Sequence, residues 1–196
     1  ASMSDKKIHH IASALVLLVA LGSAQAQNCP DDYPRTSYLS VETPAPATPT
    51  TIGQGPHSYR FVVRNPQDNE RPYRHGRYQI ELKGDQRFPD GTRVYRGVTD
   101  ASGRTASFGF AREIPAAEWF VQPLVGTGEL GESFHLTSDD CTQNLDNRPY
   151  MLDAISGPLY CGRTLPGGYT ARHMATVPVR LQLHSSVWPE QCKKLA

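Results

Sequence analysis

The chain has 196 residues, 20 Lys and Arg against 19 Asp and Glu, and a formal net charge of +1. With no basic run or stripe it lacks the electrostatic footprint of a nucleic-acid binder. It equally lacks the polybasic segment of an electrostatic membrane adaptor.

Ala1 and Ser2 read as an addition ahead of Met3. Lys6 and Lys7 then form a positive region, residues 11–21 an apolar run, and Ala24-Gln25-Ala26 a small-x-small site. Together they predict a secretory signal peptide cleaved after Ala26. The apolar run is about half of the roughly 20 residues that span a bilayer. Ala26-Gln27-Asn28 ahead of Cys29 also lacks the small or aliphatic residues that a lipid-attachment site needs. The expectation is an exported protein, periplasmic or secreted, with no membrane anchor after signal removal. Cleavage removes Asp5, Lys6 and Lys7 and leaves the charges balanced. The remaining length suits one domain that buries roughly 70% of its unfolded surface.

Cys29, Cys141, Cys161 and Cys192 all follow the cleavage site. An even count in an oxidising compartment predicts two disulfides. The expected pairs are Cys141–Cys161, closing a local loop, and Cys29–Cys192, tying the ends together. Zinc is disfavoured because no C-x2-C spacing occurs and the histidines are scattered. No metal or other cofactor is expected.

Residues 37–41 (SYLSV) read as a strand, and residues 43–56 (TPAPATPTTIGQGP) as a Pro- and Thr-rich linker that completes an N-terminal strap over 27–56. From residue 57 to 196 the pattern predicts one β-sandwich domain. Residues 58–63 form a strand that ends at Arg64-Asn65-Pro66, followed by the polar turn region QDNERPYRHG. Tyr78, Ile80 and Leu82 alternate with Gln79 and Glu81, the period-2 signature of a half-buried strand. Pro89-Asp90-Gly91 is a turn, since Pro presets φ and Gly accepts φ > 0. Strands follow at 92–99 and 105–110, with a single helical turn at 114–119.

Residues 119–125 carry Pro123, which predicts an edge or bulged strand. Residues 134–136 form a short strand, and residues 150–155 a short helix or strand. Val177, Val179, Leu181 and Leu183 give the clearest alternation in the chain. No internal repeat stands out. Seven or eight short strands at regular turn spacing predict an all-β, antiparallel β-sandwich of prealbumin- or immunoglobulin-like type.

The stretch VTDASGRTA (98–106) has the composition of a hairpin corner. Asp100 can accept from backbone amides two residues on, and Gly103 fits the left-handed position. A phosphate cradle would need several glycines and a following helix N-terminus, which are absent. Residues 78–110, with Asp90-Gly91, Gly97, Thr99-Asp100, Gly103 and Thr105, resemble prealbumin-like (transthyretin-like) β-sandwich modules of bacterial exported and secretion-associated proteins. The resemblance implies a module that binds partner proteins or acts as a spacer. It carries no functional residue over.

The most polar part of the chain leads into and lies between the inner cysteines. Asp139, Asp140, Asn144, Asp146, Asn147, Arg148 and Tyr150 are the candidate partner-binding residues. A loop ordered before binding loses less entropy when a partner docks. The spacing of the aspartates is not that of a calcium loop. Adjacent Asp139 and Asp140 on a strand end point to opposite faces and make a poor glycosidase pair. G-x-S-x-G, H-E-x-x-H and a Cys/His nucleophile pair are all missing. The run RPYRHGRY (71–78) mixes basic and aromatic residues and could hold an acidic ligand, although such a run more often enters a strand as a solvated loop.

The sequence therefore points to a non-catalytic protein binder. Its partner would be another protein, such as a toxin that this chain neutralises as an immunity protein, or a secretion component. A cell-wall or polysaccharide hydrolase is the competing reading, and a small-ligand carrier or a structural part of a surface assembly is a third.

Overall fold

The computed structural model describes residues 51–154, 159–185 and Cys192. The expected signal peptide, the strand at 37–41 and Cys29 lie outside these residues. The described chain is all-β: β1 (Thr51–Gly53), β2 (His57–Tyr59), β3 (Arg77–Leu82), β4 (Val94–Val98), β5 (Ser107–Phe110), β6 (Trp119–Gly126), β7 (Leu130–Glu132), β8 (Pro149–Ala154), β9 (Leu159–Arg163), β10 (Arg172–Ala175) and β11 (Leu181–Ser185). One 3-10 turn, Ala116–Glu118, leads into β6. The sheets run β1-β5-β2, β4-β3-β6-β10-β7 and β11-β8-β9. Pairing is mixed, not wholly antiparallel as expected: β1 runs parallel to β5, and β6 parallel to β10.

The second half of the described chain repeats the first. Tyr95-x-Gly97-x-Thr99-x-x-x-Gly103-x-Thr105-Ala106 recurs as Tyr160-x-Gly162-x-Thr164-x-x-x-Gly168-x-Thr170-Ala171. The hydrogen bonds recur with the residues. Phe61 N–H donates to Thr105 Oγ1 at 3.1 Å, and Phe134 N–H to Thr170 Oγ1 at 3.0 Å. Gly76 N–H donates to Thr99 Oγ1 at 2.9 Å, and Arg148 N–H to Thr164 Oγ1 at 2.8 Å. Ala106 N–H donates to the Tyr78 hydroxyl at 3.0 Å, and Ala171 N–H to that of Tyr150 at 3.1 Å.

Two glycine positions in this motif follow from contacts and dihedrals. A Cβ on Gly97 would lie 2.7 Å from the Tyr78 hydroxyl, and one on Gly162 would lie 2.6 Å from that of Tyr150. Gly103 and Gly168 have φ of 76° and 75°, a region that Gly enters without steric cost.

Register extends the equivalence to whole strands. Tyr78 pairs with Gly97 and Tyr150 with Gly162, so β3-β4 matches β8-β9. The antiparallel pair β2-β5 matches β7-β10, and the parallel pair β1-β5 matches β6-β10. Strand β6 therefore serves both units. Residues 119–123 close the first unit against β3, and residues 124–126 open the second against β10.

Pro123 sits at this change of partner. The sequence predicts an edge or a bulge here, because proline lacks the N–H that an interior strand needs. The β10 ladder starts one residue later, at Leu124, so that missing donor costs nothing there. The stretch 57–196 expected as one sandwich thus holds two copies of one unit among its described residues, and the linker expected over 43–56 contains β1.

Each unit packs two layers around its own core. The first core joins Phe61, Tyr78, Ile80, Phe108 and Trp119, among others. Among the described residues, the second is built on Leu136, Tyr150, Leu152 and Leu183 with Phe134, Leu145 and Tyr160 against it. Fully burying one such side chain contributes roughly 1.5–3 kcal/mol. Of the alternating run 177–183 only the second half is strand: Leu183 is buried, while Val177 and Val179 are exposed.

The disulfides differ from expectation. Cys161 on β9 pairs with Cys192, with Cα atoms 5.7 Å apart. Both expected pairs are overturned, since each drew on one of these two residues. Spacing along the chain favoured the short loop, but register places Cys161 opposite Met151 on β8, where it meets Cys192. The bond fits an extracytoplasmic, oxidising location. No helix among the described residues is long and apolar enough to cross a membrane.

Candidate functional site: the loop end of the second unit

The two units meet through loops at one end of the first unit. Arg163 N–H donates to Pro66 O at 2.8 Å, and Asn69 Nδ2 donates to Thr164 O at 3.4 Å. Gln122, only 1% exposed, donates from Nε2 to Thr170 O at 3.3 Å. Leu165 is buried against a small cleft lined by Phe61, Val63, Val121 and Pro123.

The equivalent positions on the outward faces are polar. Asp100 replaces Leu165 and pairs with Arg60 at 3.0 Å. Gln182 and His184, both exposed, stand where β6 has Phe120 and Gln122. Repeat arrays end on such polar faces. The loop of residues 65–75 in the first unit is thus a docking element, and its counterpart in the second unit is the loop of residues 138–147.

That second loop is internally ordered. Ser138 Oγ and Thr142 Oγ1 donate to Asp140 Oδ1 at 2.6 and 2.7 Å, and Thr142 N–H adds a third bond at 3.1 Å. These donors favour the ionised form and hold the Asp140 carboxyl down at about 2. Ser138 Oγ in turn accepts from Gln143 N–H at 3.0 Å. Asp146 Oδ1 accepts from Gly167 N–H at 2.9 Å, which ties the loop to the repeated motif. Asn147 takes a φ of 53°, a conformation that Asn tolerates.

Asn144 Oδ1 lies 2.9 Å from His135 Nε2, and the His135 ring stacks on Tyr169 with centroids 4.3 Å apart and 6° between planes. Tyr169 meets Phe120 edge-on at 4.9 Å, and Lys83 Nζ sits 5.1 Å from the Phe120 ring centroid. A half-exposed strip, Phe120–Tyr169–His135–Asn144, therefore runs from the first unit's sheet to the second unit's loop.

Of the residues singled out from the sequence, Asp139, Asp140, Asp146, Asn147 and Arg148 are exposed together, and Asn144 is half-buried beside them. Tyr150 is withdrawn from this set. It is 2% exposed, and its hydroxyl is spent on Ala171 N–H inside the unit, so it presents nothing to a partner. Phe120, His135 and Tyr169 join the site. The recurrence of the YxGxTxxxGxT pattern was the signal that could have placed Tyr169.

Other candidates resolve into structure. The corner at 98–106 is held by Asp100 Oδ1, which accepts from Ser102 and Arg104 N–H at 2.8 and 2.9 Å. In the basic-aromatic run, Tyr73 donates its hydroxyl proton to Leu124 O at 3.2 Å, and Arg77 Nη1 donates to Gly126 O at 3.1 Å, so both fasten β6. An open groove of about 630 Å³ beside β1 is lined by Gln86, Arg87, Pro89 and Phe110, with no pair of carboxylates. No group of three or more His, Cys, Asp or Glu among the described residues could hold a metal. No protein-family model, curated protein or solved structure matches the chain.

Proposed function

We propose that this chain is an exported, non-catalytic pair of β-sandwich modules of prealbumin- or immunoglobulin-like type, which binds another protein through the loop end of its second unit. One observation carries the reading: the loop that in the first unit holds a neighbouring β unit recurs, ordered and exposed, at the end of the second. Its composition suits recognition. Asp139, Asp146 and Arg148 supply directional charge, and Tyr169 and Phe120 supply the aromatic area typical of binding hot spots. Because Asp140, Ser138 and Asn144 already fix the loop, little ordering entropy remains to be lost on docking.

In its most specific form the reading makes the chain a periplasmic immunity protein, with a delivered antibacterial toxin as partner. The expected signal peptide and the likeness of residues 78–110 to partner-binding modules of secretion-associated proteins support this form. The likeness is an analogy of fold, and fold by itself does not assign function.

The test is capture of a stoichiometric partner from periplasmic extract by the wild type and by an Asp139→Arg, Arg148→Glu double variant. The partner should be retained by the wild type and lost by the double variant, with far-ultraviolet circular dichroism unchanged. Peptidoglycan hydrolysis by purified wild type, undiminished in the double variant, would overturn the reading.

A further inference from the structure

The internal repeat exposes one substitution that composition alone would not reveal. Register aligns β5 with β10 and places His173 at the position of Phe108. Phe108 is fully buried and packs on Phe61, Phe88, Tyr95 and Trp119. His173 is 7% exposed and meets Tyr160 edge-on at 5.9 Å, as Phe108 meets Tyr95 at 5.1 Å. Its Nδ1 is buried with no hydrogen-bond partner.

A neutral imidazole tolerates this position as an aromatic ring with one unsatisfied nitrogen. A protonated imidazole does not, because both ring nitrogens become donors and a charge then sits in apolar surroundings. We propose that His173 is an acid-sensitive element that loosens the second unit in mildly acidic surroundings while the first unit stays folded.

The groups around His173 do little to offset the charge. Glu132 on β7 is its cross-strand partner, but that residue is exposed. Arg172, its neighbour on β10, adds like charge and donates from Nη2 to Gly131 O at 2.6 Å. On β6 the register partner is the apolar Val125. From the opposite layer come Tyr160 and, behind it, Tyr150, whose phenols burial keeps protonated and neutral.

Burial correspondingly lowers the proton affinity of His173 below its ordinary 6.5. The unfolded state then binds more protons as pH falls below 6.5, so stability is full above that value and is lost on acidification.

Hydrogen exchange of the intact, oxidised chain between pH 7.5 and 5, corrected for intrinsic rates, tests the proposal. Protection should fall in β8, β9 and β10 and persist in β3 and β5. The opening constant should rise by up to about tenfold for each unit by which folding lowers the His173 value. His173→Phe, which copies the first unit, should abolish the pH dependence. Should that ring overpack the second core, titration of the His173 ring protons in the wild type gives an independent answer. Titration at or above 6.5, equal loss of protection in H173F, or simultaneous opening of both units would overturn the proposal.

Discussion

Tyr150 stands to Ala171 as Tyr78 stands to Ala106. Each phenol lies in a unit core, accepts a backbone N–H at 3.1 and 3.0 Å respectively, and faces a glycine on the adjacent strand. Removing either hydroxyl leaves that amide unsatisfied in a buried setting, which costs about 1–3 kcal/mol. Tyr78→Phe and Tyr150→Phe should therefore destabilise their own units by similar amounts in denaturant titrations. A large cost at one position and none at the other would break the equivalence.

The junction makes a second prediction. Leu165→Asp copies the outward-facing Asp100 into an apolar cleft, where an unpaired charge is expensive. Thermal unfolding of the wild type should be one cooperative event or two closely spaced ones. In the variant the units should melt separately, with the second unit first. A variant that kept the wild-type profile would show that Leu165 does not couple the units.

Disulfide connectivity is directly checkable. With Cys161 bonded to Cys192, the remaining two cysteines are Cys29 and Cys141, and we expect them to pair. Non-reducing peptide mapping should give a Cys161–Cys192 peptide and a Cys29–Cys141 peptide. A Cys141–Cys161 peptide would contradict the structure.

Asp140 sets a second pH dependence, of the same sign as that of His173 but in a lower window. Its carboxyl is held below the ordinary 3.8 by Ser138 and Thr142, so loop order is intact above that value and is lost as pH falls towards about 2. The Thr142 amide resonance should report the change. Asp140→Asn should shift that resonance at neutral pH, because an amide oxygen is a weaker acceptor than a carboxylate.

Much of the architecture was legible in the sequence where one face of a strand is buried. Tyr78, Ile80 and Leu82 announced β3 by alternation, and Asp100 and Gly103 announced their corner by turn chemistry. The repeat is not apparent from the sequence, because only its spacing of Tyr, Gly and Thr is kept and the strand residues around them have diverged. That divergence is partly physical. Leu165 and Tyr169 face a neighbour, whereas Asp100, the counterpart of Leu165, is exposed and pairs with Arg60.

Strands β1, β7, β9 and β10 were not predicted because they are short and owe their pairing to β5, β10, β8 and β6 respectively rather than to their own pattern. At the candidate site, the polar loop was readable from composition. The aromatic strip beside it was not, because His135, Tyr169 and Phe120 come from three separate segments that only the fold brings together.

The partner surface itself is tested most directly by hydrogen-exchange footprinting of the chain with and without its captured partner. New protection is expected at residues 138–148 and 164–169, with β1, β2 and β4 unchanged. Protection confined to β1, β2 and β4, with the second unit's loop exchanging as in the free protein, would contradict it.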